Sequence, residues 1–214
     1  MSTVKLICRS GVNLLEDIAM MARVSNPSNQ NNTETSEKLV RYLMKHRHWS
    51  PFEMCSITLE INTTRDIAKQ ILRHRSFSFQ EFSQRYAKPE DMGYPFELRE
   101  ARTQDASNRQ NSLQTNDALL EADWIEQQQK VITAASIAYD WAIDNGIAKE
   151  QARAVMPEGL TKTRMYMNGT VRSWMHYIDV RTTEGTQKEH MEVAKQCALA
   201  INPVFPMIKE FVHE

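Results

Sequence analysis

Apolar and polar residues alternate most regularly between Met54 and Asn62. Cys55, Ile57, Leu59 and Ile61 fall on one side; Ser56, Thr58, Glu60 and Asn62 fall on the other. A period of two over this length predicts a strand with one buried face. Val4 to Cys8 predicts a strand near the start, and Thr161, Thr163, Met165 and Met167, alternating with Lys162, Arg164 and Tyr166, predict another. Elsewhere the period is helical. Leu14, Leu15, Ile18, Ala19, Met21 and Ala22 form one stripe. Leu39, Val40, Leu43 and Met44 form a second, on a helix capped by Thr35 or Ser36 and ending near His46. Ile67, Ala68, Ile71 and Leu72 mark a third helix, which points straight into Arg73-His74-Arg75; from there the chain is expected to run on as a loop. A long helix spans about Ala118 to Asp144 and stops at Asn145-Gly146. A short one from Lys149 to Val155 ends before Pro157. Val171, Trp174, Met175 and Ile178 mark a further helix. Met191, Ala194, Cys197, Ala198 and Ile201 mark the last, broken at Pro203. Residues 26–32 are a polar loop, and residues 88–117 read as a long surface loop or an arm reaching a neighbouring subunit.

These interspersed strands and helices predict an α/β (α+β) fold, with a central mixed or antiparallel sheet flanked by helices. No repeat and no linker divides the chain, so residues 1–214 are expected to form a single domain, and that length supports a substantial core. No apolar run is long enough to span a bilayer, and the N-terminus has no signal core. Cys8, Cys55 and Cys197 are odd in number, form no CxxC and sit among apolar residues, which predicts reduced, buried thiols and a cytoplasmic protein.

Residues 73–86 stand apart from this patterning. Arg73, Arg75 and Arg85 lie among His74, Glu81, Gln84 and three serines, interleaved with Phe77, Phe79, Phe82 and Tyr86. A solvated helix face would carry acidic partners and few aromatics. A core segment would not carry so many guanidiniums. Three readings fit: a structural ion-pair network at a subunit interface, a single-stranded nucleic-acid surface, or a pocket for a nucleotide-sized anion. The formal net charge of −1 weighs against a polynucleotide surface. His46 and His48 form an H-x-H pair with no second cluster, so no metal site is expected. There is no GxGxxG and no Walker loop. Ser83 has no His/Asp pair at a recognisable spacing, so it reads as a hydrogen-bond donor and not a nucleophile. Arg172, His176 and Asp179, spaced i, i+4, i+7, share a helix face, as would a surface ion-pair ladder.

Together these segments resemble the flavin-dependent thymidylate synthases. Arg73-His74-Arg75, seven residues, then Ser83 matches that family's signature. His48-Trp49-Ser50-Pro51-Phe52-Glu53 is similar to its upstream motif, and Glu150-x-x-Arg153-x-x-Met156-Pro157 to its downstream one. The segment Arg172 to Arg181 is similar to its late helix, with Thr170 where Asn is usual, and Gln80 and His176 where Asn is common. The resemblance implies a homotetramer with active sites where subunits meet. It implies methylation of dUMP to dTMP with 5,10-methylenetetrahydrofolate as carbon donor and FAD reduced by NADPH. By position, it places FAD against Ser50, Arg73, His74, Arg75, Ser76, Glu81, Thr170, Arg172 and His176. It places dUMP against Gln70, Arg73, Glu81, Ser83, Gln84, Arg85, Arg153 and Arg181. Uracil C5 is a poor nucleophile, and a guanidinium beside an ionised ring would raise its electron density; Arg181 is expected to fill that catalytic role. A dUMP 5-hydroxymethylase on the same fold and a non-catalytic nucleic-acid binder are the alternatives.

Overall fold

A computed structural model describes residues 2–213. The chain runs β1 (Thr3–Arg9), α1 (Leu14–Ala22), α2 (Ser36–Lys45), β2 (Ser56–Thr64), α3 (Arg65–Ile71) and β3 (Phe77–Glu81). A small hairpin follows, β4 (Arg102–Gln104) and β5 (Ser112–Gln114). Then come α4 (Ala118–Asp144), α5 (Lys149–Ala152), β6 (Lys162–Thr170), α6 (Val171–Arg181) and α7 (Lys188–Ile201).

β1, β2, β6 and β3 form one sheet in that order, antiparallel at every ladder. The sheet is therefore not mixed, and the class is α+β. Ile57, Leu59 and Ile61 of β2 and Met165 and Met167 of β6 share its buried face, because alternate residues point the same way. Trp174 of α6 lies against them and donates its indole N–H to the Ile57 carbonyl at 3.0 Å. The opposite face is polar and cross-linked between strands. The Tyr166 hydroxyl donates to Glu60 at 2.9 Å, Arg164 to Asn62 at 2.9 Å and Asn168 to Thr58 at 2.7 Å.

Three expectations need correction. The stretch after Arg75 is not simply a loop, because Phe77 and Phe79 alternate with Ser78 and Gln80 and make β3 the second edge of the sheet. Phe77 packs at 4.8 Å against Trp174, so this aromatic serves the core and does not await a ligand. Its ring lies over Gly169 of β6, where an added Cβ would come within 2.3 Å of it. Cys8 is exposed, not buried: β1 is an edge strand, and its register shifts between Leu6 and Cys8, turning Ile7 and Cys8 outward. Cys55 and Cys197 are buried, and burial pushes both thiols up. The 88–117 arm is not without structure. Arg99 pairs with Asp66 at 2.9 Å and with Glu189 at 3.5 Å, Arg102 pairs with Glu189, and Gln128 of α4 holds the Arg99 backbone at both ends.

α4 buries Tyr139 and Ala142 against Ala152. Its other side carries Ile137 and Trp141, which are 66% and 62% exposed and line an apolar groove with Ile147 and Val155. Among the described residues no helix is long and apolar enough to cross a membrane.

Candidate active site

The turn after α3 lies along one face of α6. Ser173, Tyr177 and Arg181 are spaced i, i+4, i+8 and therefore stack on that face. Ser173 donates its hydroxyl to the Ser76 carbonyl at 3.2 Å, and the Tyr177 ring meets His74 edge-on at 4.9 Å. Arg181 donates its Nε–H to His74 Nε2 at 2.8 Å. A ring nitrogen that accepts from a guanidinium is unprotonated. Burial, then the neighbouring Arg181 and His176, push His74 down to about 4. His74 thus anchors Arg181 by its inner nitrogen without neutralising it. Arg73 and Arg75, on either side, are exposed and meet no carboxylate among the described residues.

A second group gathers beyond the other end of β3. Glu81 accepts from Thr163 at 2.8 Å and faces Arg65 at 3.7 Å. The Ser83 hydroxyl accepts from the Arg85 backbone N–H at 3.4 Å. Arg85 pairs with Glu150 at 3.3 Å; both are exposed, so the pair is worth little and a phosphate can replace the carboxylate. Arg153 donates to the Glu150 backbone carbonyl at 3.3 Å, which leaves its charge unmatched. Gln84 is buried, with its amide nitrogen lacking a partner.

A third group lies on a different face of α6. Arg172 sits 5.7 Å from the Trp49 ring centre, a cation–π distance, and a shallow groove beside it of about 90 Å³ takes in His176 and Asp179. Asp179 pairs with His213 at 2.8 Å and not with Arg172, so this face is not an ion-pair ladder. Ser50 is exposed and follows Trp49. The Thr170 hydroxyl is taken up as the cap of α6, accepting from the Ser173 N–H at 3.1 Å.

The fold therefore brings His74 to Arg181 and Ser76 to Ser173 on the same face of α6, and it brings Arg85, beside Ser83, and Arg153 to Glu150. The chain enters β3 from the first group and leaves it into the second, and the five residues of β3 span roughly 15 Å. Sequence reasoning missed Tyr177 and His190. His190 of α7 is buried, with Nδ1 3.2 Å from Gln70 Oε1 and Nε2 3.1 Å from the Tyr177 hydroxyl. A signal was there, since residue 190 falls on the apolar stripe of Val193, Ala194 and Cys197.

Residues 12–207 match the family model described as thymidylate synthase complementing protein. A protein of Paramecium bursaria Chlorella virus 1, named probable flavin-dependent thymidylate synthase, is 48% identical over 92% of this chain and 90% of its own length. The flavin-dependent thymidylate synthase of a Synechocystis strain is 48% identical over 89% of this chain and 86% of its own. The crystal structure of a Streptomyces cacaoi UMP/dUMP methylase, PolB, bound with 5-Br dUMP, superposes with a TM-score of 0.81 at 27% identity, covering 99% of this chain and 94% of that one. The shared fold, the match along nearly all of the chain and the intact Arg73-to-Ser83 signature lead to one conclusion: the chain belongs to the flavin-dependent thymidylate synthase family.

Proposed function

We propose that the chain methylates dUMP at C5 to give dTMP, taking the carbon from 5,10-methylenetetrahydrofolate and reducing equivalents from NADPH through FAD. The observation that carries this reading is the guanidinium of Arg181, bound at Nε by a neutral imidazole and facing no carboxylate among the described residues. A cation held this way has its two outer nitrogens free for an anion, and arginine does not give up its proton. It suits an ionised uracil ring: the charge stays in place while electron density at C5 rises.

The donor set also fits FAD. Arg73, Arg75 and Arg172 carry uncompensated charge, suited to a pyrophosphate, and Trp49 beside Arg172 offers an aromatic surface. When bound, the flavin supplies the hydride chemistry. Arg85, Arg153 and the Ser83 hydroxyl would hold the nucleotide phosphate, and Gln70, Glu81 and Gln84 would orient the rest of the nucleotide. His74, Ser76, Glu81 and Ser50 complete the flavin side by their match to the family motifs, and Thr170 and His176 by their position, where the family carries Asn. Cys55 and Cys197 are buried with their thiols pushed up, which suits activation of C5 through electrostatics and not through a covalent thiol adduct.

Two features favour a homotetramer with shared sites: the position of the His74–Arg181 pair before β3 and of the Ser83–Arg85 group after it, and the exposed apolar side of α4. The family resemblance and the two buried thiols favour a cytoplasmic setting. The test is an assay of the FAD-loaded protein with dUMP, methylenetetrahydrofolate and NADPH, with products resolved by mass spectrometry. dTMP is expected. 5-Hydroxymethyl-dUMP as sole product, or no consumption of dUMP, would overturn the reading.

A further inference from the structure

We propose that His190 is a positioning residue for the nucleotide site. As a neutral imidazole in one tautomer it orients Gln70 on one side and, through Tyr177 and His74, Arg181 on the other. The proposal rests on the dUMP reading above.

The direction of each hydrogen bond from Gln187 to Tyr177 follows from one carboxylate. Glu189, held by Arg99 and Arg102, can only accept. Gln187 bonds it at 2.9 Å and must therefore do so through its amide nitrogen. That turns the Gln187 carbonyl oxygen to Gln70, at 2.7 Å, so Gln70 also donates through its nitrogen. The Gln70 oxygen is then what meets His190 Nδ1 at 3.2 Å, and Nδ1 must carry the proton. His190 Nε2 is left as an acceptor, filled by the Tyr177 hydroxyl at 3.1 Å. Burial, with Arg181 and His74 nearby, keeps this imidazole neutral.

Both outputs of the ring reach groups assigned to the nucleotide. Gln70 cannot rotate its amide without setting two donors or two acceptors against each other, so the face it offers a ligand is fixed. Tyr177, tied by its hydroxyl, sets its ring edge-on to His74, and His74 accepts from Arg181. An apolar residue at position 190 would fill the space but leave the Gln70 oxygen and the Tyr177 hydroxyl without partners.

The test compares FAD-loaded wild type, His190→Leu and His190→Gln by calorimetric titration with dUMP, with flavin occupancy measured for each. Glutamine can both donate and accept; leucine can do neither. We expect leucine to weaken dUMP binding about tenfold or more, and glutamine to restore it to within about threefold. A role in packing alone would not distinguish them in this direction, since leucine suits an apolar stripe better. Solid-state nitrogen-15 spectra of histidine-labelled enzyme, with the His190 signals identified by their loss in His190→Gln, should show Nδ1 protonated and Nε2 bare at neutral pH. Wild-type affinity in a folded His190→Leu enzyme, or His190 protonated at Nε2 or at both nitrogens, overturns the proposal. If His190→Leu does not fold, the tautomer and the glutamine variant decide. A wild-type enzyme that binds no dUMP overturns the functional reading and this role with it.

Discussion

Arg181 and Arg85 carry the same charge under different restraints. Arg181 is bound at Nε by His74, whereas Arg85 rests in an exposed pair with Glu150. Arg181→Lys keeps a cation but loses the planar fork aimed from that anchor. Single-turnover flavin oxidation with dUMP and methylenetetrahydrofolate should then slow by roughly 100-fold or more, with a smaller change in dUMP affinity. Arg85→Lys should mainly raise the dUMP dissociation constant, because a phosphate contact serves substrate and transition state alike. If Arg181→Lys moves only the dissociation constant, Arg181 is a binding residue and no more.

The two imidazoles beside it also make acid stability predictable. His74 and His190 are pushed down to about 4 and about 3, so below pH 6.5 the unfolded chain binds protons that the folded one refuses. Stability is therefore complete above about pH 6.5 and falls as pH drops toward the folded values. For buried His190 the limiting slope is about 1.4 kcal/mol per pH unit. Urea unfolding between pH 7 and 5 should show a shallower decline in His190→Gln; an unchanged slope would mean that His190 is already charged in the folded protein.

At the scale of elements, β3 is where reading the sequence and observing the fold part. β2 and α3 were legible because each repeats its period with little else competing. In β3 the same alternation is carried by only Phe77 and Phe79, in a segment whose arginines and serines point to ligand chemistry. Cys8 was misplaced because a shift of register depends on the partner strand, and no residue type marks it. The site residues were legible as types, but their division into groups was not, since β3 decides which end each group occupies. Gly169 makes that placement possible, with the Phe77 ring over its bare backbone. Gly169→Ala should cost about 1–3 kcal/mol in chemical unfolding, the usual range for overpacking. It should also lower flavin occupancy, since Phe77 begins where the turn from Arg73 to Ser76 ends. Unchanged stability would show that the ring moves aside freely.

For the whole molecule, the exposed side of α4 is the feature a lone chain leaves unexplained. Ile137 and Trp141 project where a solvated helix would place charge. The double variant Ile137→Glu, Trp141→Glu should sediment as a smaller species and retain less FAD, while circular dichroism stays close to wild type. Wild-type sedimentation would exclude this side of α4 as the assembly surface.

The position of the His74–Arg181 pair before β3 and of the Ser83–Arg85 group after it has a genetic consequence for Arg181 and Arg153. If each site takes these two arginines from different copies, a subunit disabled at one of them can still supply the other. Arg181→Ala and Arg153→Ala proteins, each inactive alone, should complement when co-expressed. With random assembly of equal amounts, about one site in four receives both intact halves, because each half comes from the suitable subunit half the time. Two alleles that each fail to support growth without thymidine would then support it together.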